Sequence, residues 1–248
     1  ILSSSIGLYI VVIIDFFIIK EGEESFLRLI NYLNGESSSL LNTIFLDKKT
    51  DKVVFPENIE RVLNLEDIPS PYLSGRLDEF LDGRLMPVIQ TNRGCPFSCT
   101  FCTEGQNFWN KVKRKKPELV AKEIRYISEI MTNIVNDNVR SDLLIADSNF
   151  GMFKDDIEVC KIIANEQEKF GYPTYINVAT GKNRKERVLE AAKLVNGAMK
   201  LAGSVQSLDE DVLKNIKRNN ISGEQIIDLA LDASKIGANT YSEVILAL

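Results

Sequence analysis

From residue 86 onward the sequence alternates short apolar runs with amphipathic stretches, and this alternation limits the possible folds more than any other feature. Strands alternating with helices predict a parallel sheet with the helices packed outside it. We therefore expect an α/β protein whose larger part is a partial (β/α) barrel of parallel strands. The apolar runs that predict strands are 86–91, 142–147, 174–179, 198–205 and 241–247.

Local signals mark where the intervening helices begin and end. Pro117 stands at a first helical position, where its missing N–H leaves no hydrogen bond unmade. Ser222, with Gln225 three residues later, has the pattern of a capping box. Gly237 stands where the last helix should close. These signals agree with the alternation and predict separate, well-bounded helices.

The first part of the chain has a different pattern. The run from Ile6 to Ile19 is strongly apolar, but it is shorter than the ~20 residues that span a bilayer and it carries Asp15. We interpret it as a buried strand rather than a membrane segment, followed by a tight turn and a helix over Ser25–Leu33.

Residues 34–56 indicate a strand pair or a loop, and the proline- and glycine-punctuated stretch 57–85 indicates a linker. The expected domains are therefore an incomplete α/β domain over 1–56, a linker over 57–85 and the barrel over 86–248.

The composition excludes several kinds of chemistry. The 248 residues include no histidine, so the chain has no imidazole base and no zinc site with a histidine ligand. Its net charge of -5 gives no global positive field that would recruit nucleic acid or an anionic membrane. Four cysteines are too few for a secreted disulfide scaffold of this length and favour a reducing, cytoplasmic compartment.

Three of the cysteines, Cys95, Cys99 and Cys102, are spaced C-x3-C-x2-C in the loop after the first barrel strand. Three thiolates can hold three irons of a [4Fe-4S] cluster and leave the fourth iron with an exchangeable position. A non-catalytic electron-transfer or zinc module stays open as the alternative, although a closed zinc site needs a fourth ligand such as Cys160 or a carboxylate. Cys160 lies on an apolar helical stripe, which is typical of a buried thiol.

The spacing, with the aromatic Phe101 just before the third cysteine, resembles the radical S-adenosylmethionine (SAM) superfamily. The resemblance covers most of the chain from Met86 onward. It implies that SAM chelates the open iron and is cleaved on reduction to a 5'-deoxyadenosyl radical that takes hydrogen from a substrate. It also implies a reduced flavodoxin or ferredoxin as electron donor and leaves the substrate unnamed.

The same resemblance implies candidate SAM contacts at the ends of the barrel strands. Where the family often has Gly-Gly-Glu, this chain has a segment in which Asp147 or Asn149 can accept a hydrogen bond from the SAM amino group, and an Asx turn explains the two residues equally well. Gln206 and Arg218 match positions that hold the SAM ribose and carboxylate.

Three further observations leave alternatives open. A helix-capping Ser207 or Asp209 with a surface Arg218 would explain the Gln206 segment without a cofactor. The third strand ends in a set of polar side chains that face the active-site mouth if the barrel rule applies. That set is Asn177, Thr180 and Lys182. The basic run 111–116 is expected to be solvated surface or the lead-in to a helix rather than a site for nucleic acid or phosphate.

The first domain carries a resemblance of its own. Ile14-Asp15-Phe16-Phe17, followed by Glu21-Gly22-Glu23-Glu24-Ser25-Phe26, is similar to the closing strand and helix of the Rossmann-like cobalamin-binding domain that precedes the barrel in one radical SAM subfamily. This resemblance implies cobalamin as a cofactor of the full-length protein and methyl transfer as its reaction. The part that would contact the corrin is missing, so we do not expect this chain alone to bind cobalamin tightly.

Overall fold

The computed structural model describes residues 14–61, 64–135, 139–181, 183–219 and 221–246. The chain forms two compact units, Ile1–Ile68 and Pro69–Leu248. The division between them falls inside the stretch 57–85, where the sequence indicates a linker. Among the helices of the described segments, none is both long and apolar enough to cross a membrane.

The described residues of the first unit contain a three-stranded antiparallel sheet and one α-helix. β1 (Phe16–Ile18) pairs with β2 (Thr43–Asp47), and β2 pairs with β3 (Lys52–Val54). Helix α1 (Glu23–Leu33) connects β1 to β2. Of the strand pair or loop expected within 34–56, the structure shows the strand pair, whereas the strand expected over Ile6–Ile19 lies largely outside the described residues.

The second unit is built on parallel strands that lie side by side in chain order. Within it, one three-stranded parallel sheet and one parallel pair are joined by a parallel bridge between Ile176 and Met199. A short antiparallel pair stands apart from them. The strands are β4 (Val88–Ile89), β5 (Asn92–Arg93), β6 (Lys113–Arg114), β7 (Asp142–Phe150), β8 (Tyr175–Thr180), β9 (Leu201–Ala202) and β10 (Thr240–Tyr241).

The parallel order is β4, β7, β8, β9 and β10, which confirms the partial (β/α) barrel. Three strands are shorter than the apolar runs predict. The run 86–91 forms ladder pairs only at β4, because Thr91 instead bonds through its backbone N–H to a side chain at the end of β7. Beyond β9 and β10, the two segments form an isolated parallel bridge between Gln206 and Val244 instead of a continuous ladder.

In the described part of the second unit, five α-helices accompany these strands, and the start signals read from the sequence are confirmed. Pro117 opens the first of them. The Ser222 hydroxyl accepts from the Gln225 N–H while the Gln225 side chain accepts from the Ser222 N–H, which is a capping box. The helices are α2 (Pro117–Thr132), α3 (Lys154–Phe170), α4 (Lys185–Leu194), α5 (Glu210–Asn215) and α6 (Gly223–Lys235).

The core of the second unit lies between the parallel strands and their helices. Leu143 on β7 and Ile176 on β8 are fully buried, as are Ile127 on α2 and Ile163 on α3. Burying an aliphatic side chain of this size contributes about 1.5–3 kcal/mol. This core holds the strand ends, and therefore the loops that follow them, in fixed positions.

Candidate active site

The three clustered cysteines lie on one cavity of about 280 Å³ at the carboxyl ends of the barrel strands. Cys99 is buried, Cys95 is partly buried and Cys102 is exposed. The rest of the wall comes from their own loop, from the end of β7, from the loop after β8 and from the segment after α5. Those lining residues are Pro96, Phe97, Ser98, Phe101, Glu104, Ser148, Asn149, Asn183, Lys217, Arg218 and Asn219.

Two glycines give the cysteine loop its shape. Gly94 has a φ of +118°, and a Cβ there would lie 2.6 Å from the Trp109 carbonyl oxygen. At Gly105 a Cβ would lie 2.1 Å from the Cys99 carbonyl oxygen. Any side chain at either position would force the backbone apart. The loop folds back on itself closely enough for the Cys95 N–H to donate to the Trp109 carbonyl at 2.9 Å.

Side chains from outside the loop donate hydrogen bonds to two of the thiols. Asn149 Nδ2 lies 3.3 Å from Cys95 Sγ, and Arg218 Nη1 lies 3.7 Å from Cys99 Sγ. Burial raises the pKa of the Cys95 thiol, and the Asn149 hydrogen bond acts in the opposite direction. A hydrogen-bond donor beside sulfur favours the thiolate, the form that binds iron, whereas burial disfavours it.

This arrangement fits an iron-sulfur cluster held by three cysteines. Thiolates are the ligands of such clusters, each thiolate binds a different iron, and hydrogen bonds to the sulfurs are a usual feature. Across the described part of the chain, no three or more Cys, Asp or Glu side chains are grouped so that they could hold one metal ion.

The fourth cysteine lies elsewhere. Cys160 is on α3, fully buried within the core, and it does not line the cavity. Burial raises the pKa of its thiol strongly. The expectation of a buried, apolar environment for Cys160 is confirmed.

Of the candidate SAM contacts, the structure brings Phe101, Asn149 and Arg218 to the cavity. Gln206 is buried and pairs with Val244, with a φ of +58°. It does not line this cavity, and its contact with the ribose stays a prediction.

The structure places Asp147 apart from the cavity. Its carboxylate is buried, and it accepts hydrogen bonds from the backbone and side chains of Thr91 and Asn92. Burial raises the pKa of Asp147 to about 6 against the effect of those hydrogen bonds. Between the two residues considered for the SAM amino group, this geometry favours Asn149.

The two described candidates from the third strand, Asn177 and Thr180, do not line the cavity. Asn177 donates to Asp142 Oδ2 at 3.1 Å, toward the opposite end of the sheet, which corrects the expectation that it faces the mouth. The Thr180 hydroxyl accepts from the Ala202 N–H at 2.7 Å and so joins two strands. Lys182 lies outside the described residues.

Sequence reasoning missed several residues of the cavity wall. Asn183 follows the end of β8, and Lys217 and Asn219 flank Arg218. Only their position in the loops of the barrel could have indicated them, because active-site loops of such barrels follow the carboxyl ends of the strands. The alternative helix cap is also present, because Asp209 Oδ1 accepts from the Val212 N–H at 3.0 Å at the start of α5.

Of the two expectations for the basic run 111–116, the structure shows a helix lead-in, since the run ends directly before α2, and two of its residues form ion pairs. Arg114 Nη1 lies 2.9 Å from Asp156 Oδ1, and Lys115 Nζ lies 2.9 Å from Glu123 Oε2. Both carboxylates are buried on helices that pack against the sheet. The basic residues therefore fasten the strand that leaves the cysteine loop to α2 and α3.

Comparison with known proteins agrees with this geometry. The sequence model of the Radical SAM superfamily matches residues 89–247. Among solved structures, OxsB, a cobalamin-dependent S-adenosylmethionine radical enzyme with aqua-cobalamin bound, superposes with a TM-score of 0.67 at 20% identity over 96% of this chain and 34% of that one. TsrM from Kitasatospora setae, a radical SAM methyltransferase with cobalamin and a [4Fe-4S] cluster bound, gives 0.66 at 12% identity over 93% and 45%.

Two curated relatives are also similar in sequence. The cobalamin-dependent radical SAM methyltransferase TokK of Streptomyces tokunonensis is 30% identical over 239 residues, which are 92% of this chain and 34% of that protein. The 2-(S-pantetheinyl)-carbapenam-3-carboxylate methyltransferase of Streptantibioticus cattleyicolor is 34% identical over 198 residues, 76% of this chain and 28% of that protein. The chain thus spans about a third of the length of the curated relatives it matches.

The family model covers the partial barrel from the second residue of β4 to beyond β10, and with it the cysteine loop and every other residue that lines the cavity. The solved structures show the same fold. This chain belongs to the radical SAM superfamily, whose cofactors are a [4Fe-4S] cluster and S-adenosylmethionine.

Proposed function

We propose that this chain contains the catalytic core of a cobalamin-dependent radical SAM methyltransferase and that Cys95, Cys99 and Cys102 hold its [4Fe-4S] cluster. One observation carries the proposal: the three thiols share a cavity at the carboxyl ends of the barrel strands, while Cys160 lies in the core. The names of the curated relatives support methyl transfer and the use of cobalamin by the whole protein.

The chemistry that such a cluster supplies when bound is the one-electron reductive cleavage of SAM. The residues of this chain hold the reactants for that step. Cys95 and Cys99 receive hydrogen bonds from Asn149 and Arg218, which stabilise the two thiolates as ligands. The protein thus supplies position and electrostatics while the cofactors supply reactivity.

For SAM itself, we propose that Arg218 pairs with the carboxylate, Asn149 accepts from the amino group and Gln206 bonds the ribose. Arg218 and Asn149 are supported by their place in the cavity wall. A guanidinium is always charged and presents a planar fork that matches a carboxylate. The proposal further includes a small-molecule substrate, a reduced flavodoxin or ferredoxin as electron donor, and a cytoplasmic location.

The test replaces each of the four cysteines by alanine and reconstitutes all variants without oxygen. Loss of Cys95, Cys99 or Cys102 removes an anionic ligand that no histidine of this chain can replace, so iron, sulfide and 5'-deoxyadenosine production should fall to background. Cys160→Ala is the matched control. It should keep full iron content and SAM cleavage, with a stability loss of about 1 kcal/mol from a small cavity.

Two results would contradict the proposal. If Cys160→Ala lost its metal together with the other three variants, the site would be closed by four cysteines and would have no open iron. If the unaltered chain took up one zinc ion and formed no brown cluster, a zinc-binding module would replace the enzyme. Metal analysis and the visible spectrum separate these outcomes.

A further inference from the structure

Asp147 makes an unusually complete set of hydrogen bonds for a buried carboxylate. Oδ1 accepts from the backbone N–H groups of Thr91 at 2.9 Å and Asn92 at 3.1 Å. Oδ2 accepts from Asn92 Nδ2 at 2.8 Å and from the Thr91 hydroxyl. A carboxylate has about four acceptor positions, so these two residues use its whole capacity. All three residues are at most 3% exposed.

Thr91 and Asn92 occupy the point where the chain leaves the sheet for the cysteine loop. Asn92 and Arg93 form β5, which pairs with β6 and closes the stem of that loop. The Lys115 N–H donates to the Thr91 carbonyl at 2.9 Å, so the returning strand is held at the same place. Whatever fixes Thr91 and Asn92 therefore fixes the base of the loop that carries the three thiols.

The strand that carries Asp147 also reaches a thiol. Asn149, two residues after Asp147 on β7, donates to Cys95 Sγ at 3.3 Å. The carboxyl end of β7 thus contacts the cysteine loop twice, at its stem through Asp147 and at its first cysteine through Asn149. Two attachments to one rigid strand restrict both the position and the orientation of the loop.

We propose that Asp147 is the positioning residue of the cysteine loop, holding its stem so that the thiols are prearranged for the cluster. The inference rests on the proposed function, because in it Asp147 positions the cysteine ligands of that cluster and does not bind SAM. Groups that orient metal ligands are costly to lose, by about 10–100-fold in metal affinity or activity.

The experiment measures how fast the anaerobically reconstituted chain gives up iron to a chelator. Asp147→Ala should release iron about 10–100-fold faster than the unaltered chain. It should also broaden the paramagnetic resonance spectrum of the dithionite-reduced cluster, since the thiols would adopt several arrangements. Asp142→Ala is the matched control: this carboxylate lies at the other end of β7, accepts from Arg140 and Asn177, and should leave both readouts unchanged.

A pair of variants separates positioning from general stability. In Asp147→Asn, Oδ1 can still accept the two backbone N–H groups, and the Asn92 amide can turn so that its Oδ1, which is buried and accepts no hydrogen bond from any described residue, accepts from the new Nδ2. Adding Asn92→Ala removes that acceptor. The double variant should therefore release iron faster than Asp147→Asn alone.

Two results would overturn the inference: a folded Asp147→Ala with normal iron release, or a double variant that releases iron no faster than Asp147→Asn alone. If Asp147→Ala fails to fold, the comparison of iron release between Asp147→Asn and the double variant tests the inference. An unaltered chain that forms no four-iron cluster would instead refute the proposed function.

Discussion

Arg218 is the residue that links the proposed SAM site to the cysteine loop. Its Nη1 lies 3.7 Å from Cys99 Sγ and its Nη2 lies 3.2 Å from the Ser204 carbonyl oxygen. A cation is thereby held at the cavity wall by the carbonyl and the sulfur. A carboxylate that enters the cavity meets this cation in a position that is already fixed, which reduces the entropy lost on binding.

Arg218→Ala should weaken SAM binding about 10–100-fold, because a hydrogen bond to a charged group contributes about 1.5–3 kcal/mol. Iron content should be kept, since the three cysteine ligands remain. The measurement is the dissociation constant for SAM together with iron per chain. Arg125→Ala is the control, as Arg125 pairs with Glu129 on the exposed face of α2. Unchanged SAM affinity in a folded Arg218→Ala would remove Arg218 from the site.

For single residues, the sequence predicted those that belong to a motif with fixed spacing. It did not predict the role of a residue whose hydrogen-bond partners are far away in the sequence. The three cysteines and Arg218 could be read from local patterns, and the structure brings all four to one cavity. The partners of Asp147 lie 55 and 56 residues earlier in the chain. No local pattern connects residues at that distance, so only the folded strands show that the carboxylate binds the loop stem.

Among the elements, the β5–β6 stem determines where the cysteine loop leaves the barrel. β6 is fastened to the start of α3, where Arg114 Nη1 lies 2.9 Å from Asp156 Oδ1 and Nε lies 3.0 Å from Asp155 Oδ2. The guanidinium carbon also lies 4.5 Å from the centre of the Phe153 ring. Asp156 itself is fully buried, so Arg114 is the cation that balances its charge.

Arg114→Ala should therefore destabilise the chain by about 3 kcal/mol, the lower end of the range for breaking a buried ion pair. The lower end applies because the Arg114 side chain is 22% exposed. Urea unfolding measures the change. Arg125→Ala removes an exposed i,i+4 pair instead and should cost about 0.3–0.5 kcal/mol. Equal losses in the two variants would show that the Arg114 pair has no special role in holding β6.

The elements differ in how far the sequence predicts them. α2 and α6 have long apolar stripes with clear start signals, and both were predicted correctly. β5 and β6 have two residues each, too few to show an alternation of apolar and polar side chains. The basic run resembled a solvated surface because its acidic partners on α2 and α3 come later in the sequence.

In the molecule as a whole, the cavity and the core that supports it belong to one unit. The contiguous hydrophobic core runs from Tyr72 to Ala238, and every cavity-lining residue lies between Cys95 and Asn219. Both sets fall inside Pro69–Leu248. A domain of this size buries enough of its surface to fold on its own core.

A chain that begins at Pro69 should therefore fold and bind as much iron and sulfide as the chain from Ile1. Its core is retained in full, and all three cysteine ligands, Asp147 and the β5–β6 stem are retained with it. Iron per chain after anaerobic reconstitution and the thermal unfolding midpoint are the measurements. The same shortened chain with Cys95→Ala is the control and should bind no cluster. A shortened chain that folds but stays free of iron would show that residues 1–68 are needed to complete the site. It would contradict the conclusion that the second unit binds the cluster by itself.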